Sequence, residues 1–304
     1  MKHSFGGPWT LIKLDVLKRY LIAFNTALKN VPSPTNTFHR IYIDAFAGTG
    51  ECEVRIDEDS VETIEGSAKL AIDASPQFDE IHLIDHKEAH VKELKTLTRS
   101  NPRVHVHQED ANLALQELIQ KVNWKKSRGV LFLDPYGMTV SWSTLQLAST
   151  THALDVWYLF PLSAIYRQAA NDFNKINDSK LAALDTVLGT TSWRDHFYKS
   201  DAQISLIDGK QAMHRVVDPD QIAAFVQNRL KEEFKGWVSP AVILRSTNNA
   251  PLFALFCCIS NPTPAAVKLS QRLAEYILGK FTSQPIALKA TTKNTPNGQG
   301  NLFN

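Results

Sequence analysis

Five short apolar stretches, at 40–45, 81–85 (IHLID), 104–107 (VHVH), 129–134 (GVLFLD) and 155–161 (DVWYLFP), recur along the chain with helical patterns between them at 66–75, 86–100, 111–122 and 141–150. Short apolar runs separated by amphipathic segments are what a parallel sheet covered on both faces requires. The expected fold class is therefore α/β: an open, Rossmann-like sheet, mostly parallel. Upstream, Leu14, Leu17, Leu21, Phe24 and Leu28 repeat at steps of three and four, which predicts an amphipathic helix over 9–30 that covers the edge of the sheet. VPSPT at 31–35 ends it, because proline cannot continue a helix.

After Pro161 the rhythm changes. Helical patterns at 164–175, 178–188 and 219–234, with no strongly apolar strand between them, predict a helical insertion over 162–237. VILRS (242–246) and LFALFCCIS (252–260) flank the turn-rich Thr-Asn-Asn-Ala-Pro, so an antiparallel hairpin is expected to close the sheet before a last helix at 264–279. The main domain is thus read as 1–161 with 238–283, and 284–304, rich in Thr, Asn, Gly and Pro, as a tail without apolar periodicity. A competing reading makes 219–260 a winged-helix unit that reads DNA.

The 304 residues, 43% hydrophobic, are enough for a full core. A net charge of +2 does not identify a nucleic-acid binder, although local basic patches stay possible. No stretch approaches the roughly 18 consecutive apolar residues of a membrane span, and the first residues lack the apolar region of a signal peptide, so a cytoplasmic protein without membrane attachment is expected. Cys52, Cys257 and Cys258 have neither disulfide nor metal-ligand spacing. His105 and His107 share one strand face, but no cysteine or acidic pair stands at a suitable spacing, and no metal is expected.

The first strand runs into Asp44 and then Gly48 and Gly50, where glycines let backbone approach a ligand above the strand ends. A dinucleotide fingerprint wants a third glycine and an immediate helix; here a long acidic stretch intervenes. An acid leading a short Gly-x-Gly loop suits S-adenosylmethionine instead, because its ammonium needs acceptors. Asp44 and the backbone of Phe46, Ala47, Gly48 and Gly50 are placed around the methionine portion, Asp85 at the ribose hydroxyls and Asp110 at the adenine amino group. Helix capping is the competing role for each acid.

Asp134-Pro135-Tyr136-Gly137 ends the fourth strand. Amino-group methyltransferases carry an acid, a proline and an aromatic there. Asp134 and the Pro135 carbonyl are expected to accept from an exocyclic amine while Tyr136 stacks on the base, a contact worth roughly 1–3 kcal/mol. A plain Asp-Pro turn is the alternative. No cysteine follows Pro135, so a covalent cysteine mechanism has no support. Glu51–Glu65 carries seven acids against Arg55 and reads as a solvated loop or a lid, one that would repel a phosphate backbone.

Taken together, GGPWTLIKLDVLKRYLIAF, YIDAFAGTG, EGSAKLAI, FLDPYGM and ILRSTNNAPLFALFCCIS resemble the three-Cys-motif partner protein family over about residues 5–280. The resemblance implies a fold like that of S-adenosylmethionine-dependent methyltransferases and, as partner, a companion protein that carries the three-cysteine motif. Trp9, Thr10 and Lys13 match the family's opening motif, Asp44, Phe46, Ala47, Gly48 and Gly50 its glycine loop, Gly66 and Ser67 its next helix start, and Asp134 to Gly137 its fourth-strand motif. On this basis Lys13 is expected to reach the cofactor carboxylate. One departure leaves the base open: adenine and cytosine amino-methyltransferases usually have two prolines before the aromatic, and DPYG is closer to the Asp-Pro-Phe-Gly of transfer-RNA guanine N2-methyltransferases.

Near the C-terminus, Gln299, Leu302 and Phe303 reproduce the spacing of peptides that dock on the bacterial DNA sliding clamp, a short pattern that chance also produces. The leading expectation is an S-adenosylmethionine-dependent methyltransferase acting on an exocyclic amine of a DNA or tRNA base. The alternative is a non-catalytic module that binds the cofactor and presents its insertion to the companion protein.

Overall fold

The computed structural model describes residues 7–55, 61–204 and 211–282. Its central sheet is built from β1 (His39–Asp44), β2 (Glu80–Asp85), β3 (Val104–Gln108), β4 (Ser127–Leu133), β5 (Leu154–Phe160), β6 (Val242–Arg245) and β7 (Pro251–Ile259). The strands lie in the order 3-2-1-4-5-7-6, with the two residues Trp237–Val238 also paired to β7. β1 to β5 are mutually parallel, β7 runs antiparallel to β5, and β6 antiparallel to β7. This mixed α/β architecture is the open, mostly parallel Rossmann-like sheet with an antiparallel closing hairpin that the sequence implied. Between β1 and β4 the winding reverses direction, and in open α/β sheets the crevice above the carboxyl ends of the strands at that point is where ligands bind.

The closing hairpin belongs to the sheet. Leu255 stands opposite Leu159 and Cys257 opposite Trp157, so β7 is an inner strand. A strand held in the main sheet is no free wing, which overturns the winged-helix reading of 219–260.

Strand residues alternate between two cores, which is why the strands read as continuous apolar runs. Ile41, Ile43, Leu131, Leu133, Val156, Tyr158 and Phe256 face one core, and Tyr42, Val130, Phe132, Trp157, Leu159 and Leu255 the other. Helix α1 (Pro8–Leu28) was expected at the sheet edge but lies across the second face, because its apolar stripe is wider than the five leucine and phenylalanine positions. Val16 and Tyr20 are also buried; the Tyr20 ring meets Trp157 edge-on at 5.0 Å, and Phe24 stacks on Phe78 at 6.0 Å.

Helices α2 (Ser67–Ile72), α3 (Glu88–Leu97), α4 (Ala111–Lys121) and α5 (Trp142–Thr150) connect the strands. The segment 162–237 holds α6 (Leu162–Gln168), α7 (Asp178–Leu188), α8 (Trp193–Phe197) and α9 (Pro219–Glu233), together with a feature not expected there, the antiparallel pair Tyr198–Ile204 and Gln211–Arg215. YKSDAQI and QAMHR mix polar with apolar residues too evenly to show a strand period. Ile176, Leu184, Trp193, Phe197, Ile222 and Leu230 share one core with Tyr158 and Phe160 of the sheet. Helix α9 begins on a capping box in which Asp218 and Gln221 bond reciprocally, with Pro219 in its first turn. The acidic stretch after the glycine loop is also ordered where described: Glu51–Arg55 pairs with Val61–Glu65 as a hairpin. Residues 56–60 and the tail with Gln299, Leu302 and Phe303 lie outside the described residues. Among the described residues, no helix is long and apolar enough to cross a membrane.

Helix α10 (Pro264–Thr282) packs against α1, and a buried polar contact joins both to the sheet. Tyr20 donates to Asp155 of β5 at 2.7 Å, and Ser270 of α10 lies 3.4 Å from the same oxygen. Burial raises the Asp155 carboxyl to about 6 against the pull of these hydrogen bonds. A carboxyl raised in the folded state stabilises the fold fully below its unfolded value near 3.8 and loses that contribution as pH rises through about 6. Asp155→Asn, which keeps an acceptor for Tyr20 and cannot ionise, is therefore expected to gain on the native protein by up to about 3 kcal/mol between pH 3.5 and pH 7. Urea midpoints across that range check this, and a constant difference between the two proteins contradicts it.

Candidate active site

The crevice begins at Asp44, the last residue of β1. Its carboxylate is fully buried and accepts from the Tyr42 hydroxyl at 3.1 Å and the Phe46 amide at 3.3 Å. Burial raises this carboxyl to about 6, opposed by a Ser67 hydrogen bond and reinforced by the nearby Asp134 charge. Gly48 and Gly50 follow with φ of +62° and +87°, where a side chain is strained. A Cβ on Gly66 would stand 3.0 Å from the carbonyl carbon and oxygen of Gly50, and the Gly66 amide donates to that oxygen at 2.9 Å. The start of α2 is thereby pinned to the glycine loop and brings Ser67 to Asp44.

Asp134 leaves the end of the neighbouring strand β4, partly buried, with Pro135 buried behind it. Lys13 of α1, expected at the cofactor carboxylate, instead donates to Asp134 Oδ2. A half-buried ammonium reaches the nearest fixed carboxylate, and α1 crosses the sheet face where that carboxylate is Asp134. Cys52, on the hairpin after the glycine loop, stands in the same field: burial raises its thiol, Lys13 opposes this, and Asp134 and Asp44 add to it. Nothing in its sequence neighbourhood marked it, because the proximity is made by the hairpin turning back.

Asp85 and Asp110 sit where expected in the chain but are occupied differently. The Asp85 carboxylate is 2% exposed and accepts from Gly48 N at 3.1 Å, Lys87 N at 2.8 Å and the His90 ring at 3.0 Å. It ties the glycine loop to the start of α3 rather than facing outward to a ribose. Asp110 caps α4, its Oδ1 accepting from Asn112 and Leu113 amides at 2.9 and 3.3 Å, the competing role foreseen for it. Lys87 and His90 are site neighbours that the sequence reading missed. The signal was present in IDHKEAH, since residues two and five beyond a strand-end acid return to it once a helix begins.

Tyr136 is 52% exposed, its ring under the Lys87 ammonium at 4.5 Å and 6.5 Å from the His90 ring. Its hydroxyl points inward, 3.9 Å from where a Cβ on Gly48 would stand. Burial raises the phenol well above its ordinary value, and the charges of Asp85 and Asp134 add to the effect.

On β2 and β3, His105 and His107 do share a face, together with His82 and Glu80. The His82 and His107 rings meet at 3.0 Å, and Glu80 lies 2.9 Å from His39 and 3.0 Å from His82. Among the described residues, no group of three or more such side chains is arranged to hold a metal ion.

No family model matches this chain, and no curated protein does. Solved structures do. Protein LPL1258 from Legionella pneumophila aligns at 14% identity over 90% of this chain and 94% of its own, with a TM-score of 0.51. This is a likeness of fold. An S-adenosylmethionine-dependent methyltransferase from Clostridium acetobutylicum aligns at 11% identity over 81% and 92% of the two chains, TM-score 0.34, and the N-methyltransferase NodS from Bradyrhizobium japonicum at 7% over 67% and 95%, TM-score 0.30. These two are too loose to carry weight on their own.

The Lys13–Asp134 pair can be tested through Cys52 without any substrate. Removing the anion in Asp134→Asn is expected to lower the thiol pKa and speed alkylation by iodoacetamide at pH 8 by roughly threefold, whereas Lys13→Gln slows it. Rates that move in the same direction in both variants would refute this charge arrangement.

Proposed function

We propose that the protein is a methyltransferase that uses S-adenosylmethionine and acts on an exocyclic amine of a nucleic-acid base. The observation that carries this reading is the position of Asp134-Pro135-Tyr136 at the end of β4, beside Asp44 and the glycine loop, at the point where the strand order reverses.

The residues present fit the cofactor's methionine end. Asp44 offers a carboxylate to a cationic ligand, and Gly48 and Gly50 keep the loop free of side chains. The fit is poorer at the ribose, since Asp85 is turned inward, and the hydroxyls would fall to groups at the start of α3. Bound there, the cofactor supplies an electrophilic methyl group. This chain's own part is positioning. Lys13 holds Asp134 Oδ2, which fixes the carboxylate and leaves the other oxygen to accept an amine N–H. The Pro135 carbonyl takes the second N–H, so that the nitrogen lone pair points along the remaining direction. Transfer of the methyl group would form the N–C bond as the sulfur–methyl bond breaks and sulfur keeps the electron pair, and the nitrogen, now acidic, would hand its proton through Asp134 to water.

Incubation with isotopically labelled S-adenosylmethionine and separate DNA and tRNA pools, followed by mass spectrometry of nucleosides, tests the reading. A labelled N-methyl nucleoside is expected. Asp134→Ala should reduce its formation by about 100-fold or more, the loss typical of an orienting group at a reaction centre, while cofactor affinity stays within a few-fold. Cofactor binding with no transfer to either pool, unaffected by that substitution, would instead favour the non-catalytic module that presents 162–237 to a companion protein.

A further inference from the structure

Asp85 ends β2 buried, with its carboxylate taken up by donors of the protein itself: the Lys87 amide on Oδ1 at 2.8 Å, and on Oδ2 the Gly48 amide at 3.1 Å and the His90 ring at 3.0 Å. A carboxylate bonded by two backbone amides is the acceptor, so the His90 nitrogen that faces it, Nδ1, carries the proton. That settles the tautomer. A neutral imidazole with its proton on Nδ1 keeps a lone pair on Nε2, across the ring and directed away from Asp85. Among the described residues no group bonds that nitrogen, and the side chain is 21% exposed, so a ligand can reach it. His90 is the third residue of α3, where side chains lean back toward the helix start. It shares Asp85 Oδ2 with the Gly48 amide, and its ring centre lies 6.5 Å from that of Tyr136.

The order of the strands sets which part of a ligand His90 meets. Asp134 follows β4, Asp44 and the glycine loop stand beside it at the end of β1, and β2 is next on the far side of β1. In the S-adenosylmethionine reading above, on which this inference rests, the methionine portion lies at the end of β1, and the nucleoside extends from it toward β2. We propose that His90, oriented by Asp85, binds the ribose of the cofactor, its Nε2 accepting one of the two sugar hydroxyls. Asp85 is then a positioning residue that acts through the imidazole without touching the ligand. The exchange of a carboxylate for an imidazole has a chemical consequence. Two carboxylate oxygens can take both hydroxyls of a ribose, whereas Nε2 has a single lone pair and takes one. The site therefore distinguishes the 2′-hydroxyl from the 3′-hydroxyl.

Calorimetric titration of the full chain with S-adenosylhomocysteine and with its 2′-deoxy and 3′-deoxy analogues tests this. In the native protein one analogue should bind about five- to tenfold more weakly than S-adenosylhomocysteine, the loss of a single hydrogen bond, and the other should bind like it. His90→Asn keeps an amide N–H for Asp85 but has no atom where Nε2 stands. That variant should bind S-adenosylhomocysteine more weakly by the same factor and no longer tell the three ligands apart. Native affinities that are equal for all three ligands, or that fall equally for both analogues, overturn the role of His90 and leave the cofactor reading standing. So does a His90→Asn protein that binds S-adenosylhomocysteine as the native one does or still discriminates between the analogues. No binding of S-adenosylhomocysteine by the native protein removes the cofactor reading and the ribose contact with it. Circular dichroism establishes that the variant is folded, and the comparison of analogues on the native protein decides the matter without it.

Discussion

Two carboxylates on adjacent parallel strands, Asp44 and Asp134, share a low-dielectric crevice with one ammonium, that of Lys13. Burial raises the cost of ionising Asp44, and the nearby Asp134 charge adds to it. Asp44 shows the result in a carboxyl raised to about 6 despite its hydrogen bonds. Lys13 is the counter-charge, and it comes from neither strand nor from their connections but from α1, which precedes the sheet in the chain. The crevice is therefore electrostatically complete only when α1 is docked.

That dependence explains how α1 is fastened. Tyr20, two turns along from Lys13, drives its ring against Trp157 and its hydroxyl onto Asp155, and α10 approaches the same carboxylate through Ser270. A buried acid is an expensive anchor, but one that specifies geometry, because only one placement of α1 lets Tyr20 satisfy it. Further along, Phe24 stacks on Phe78 beside the start of β2. Apolar contact holds α1 to the sheet and the polar contact sets its register, so that Lys13 arrives at Asp134. The site is in this sense assembled by the second core, not by the loops alone.

The sheet was legible because each inner strand is a short apolar run and each connection carries helical periodicity. IHLID, GVLFLD and DVWYLFP could hardly be anything else. LFALFCCIS was legible as part of a hairpin, but nothing local excluded a wing; only its pairing with β5 does so. The strands YKSDAQI and QAMHR escaped notice for lack of a period, and Glu51–Glu65 because charge hid a hairpin whose pairing is a backbone property. Within the site, Asp44, Gly48, Gly50 and Asp134 were found by position along the chain. What position could not give was the direction in which each side chain is spent: Lys13 onto Asp134, Asp85 onto its own loop, Tyr136 across the crevice. These are choices among partners made in three dimensions, and a linear motif is silent about them.

The same buried charges shape the response of the molecule to pH, in opposing senses. Asp44 and Asp155, raised from 3.8 to about 6, favour the folded state at the acid end of that interval and lose the contribution as pH rises. His82 is lowered from 6.5 to about 4, chiefly by burial, and His107 is lowered as well. A histidine kept neutral stabilises above its unfolded value and loses the contribution as pH falls toward 4, so the slopes of the two groups oppose each other over one window. The groups occupy different parts of the fold, however: Asp44 ends β1, Asp155 lies on β5, and the histidines lie on β2 and β3. A cation bound in the crevice stabilises ionised Asp44, which must then release the proton that burial let it keep. On the proposed cofactor reading, binding near pH 6 is coupled to proton release at Asp44, whereas the histidine cluster on β2 and β3 takes no part.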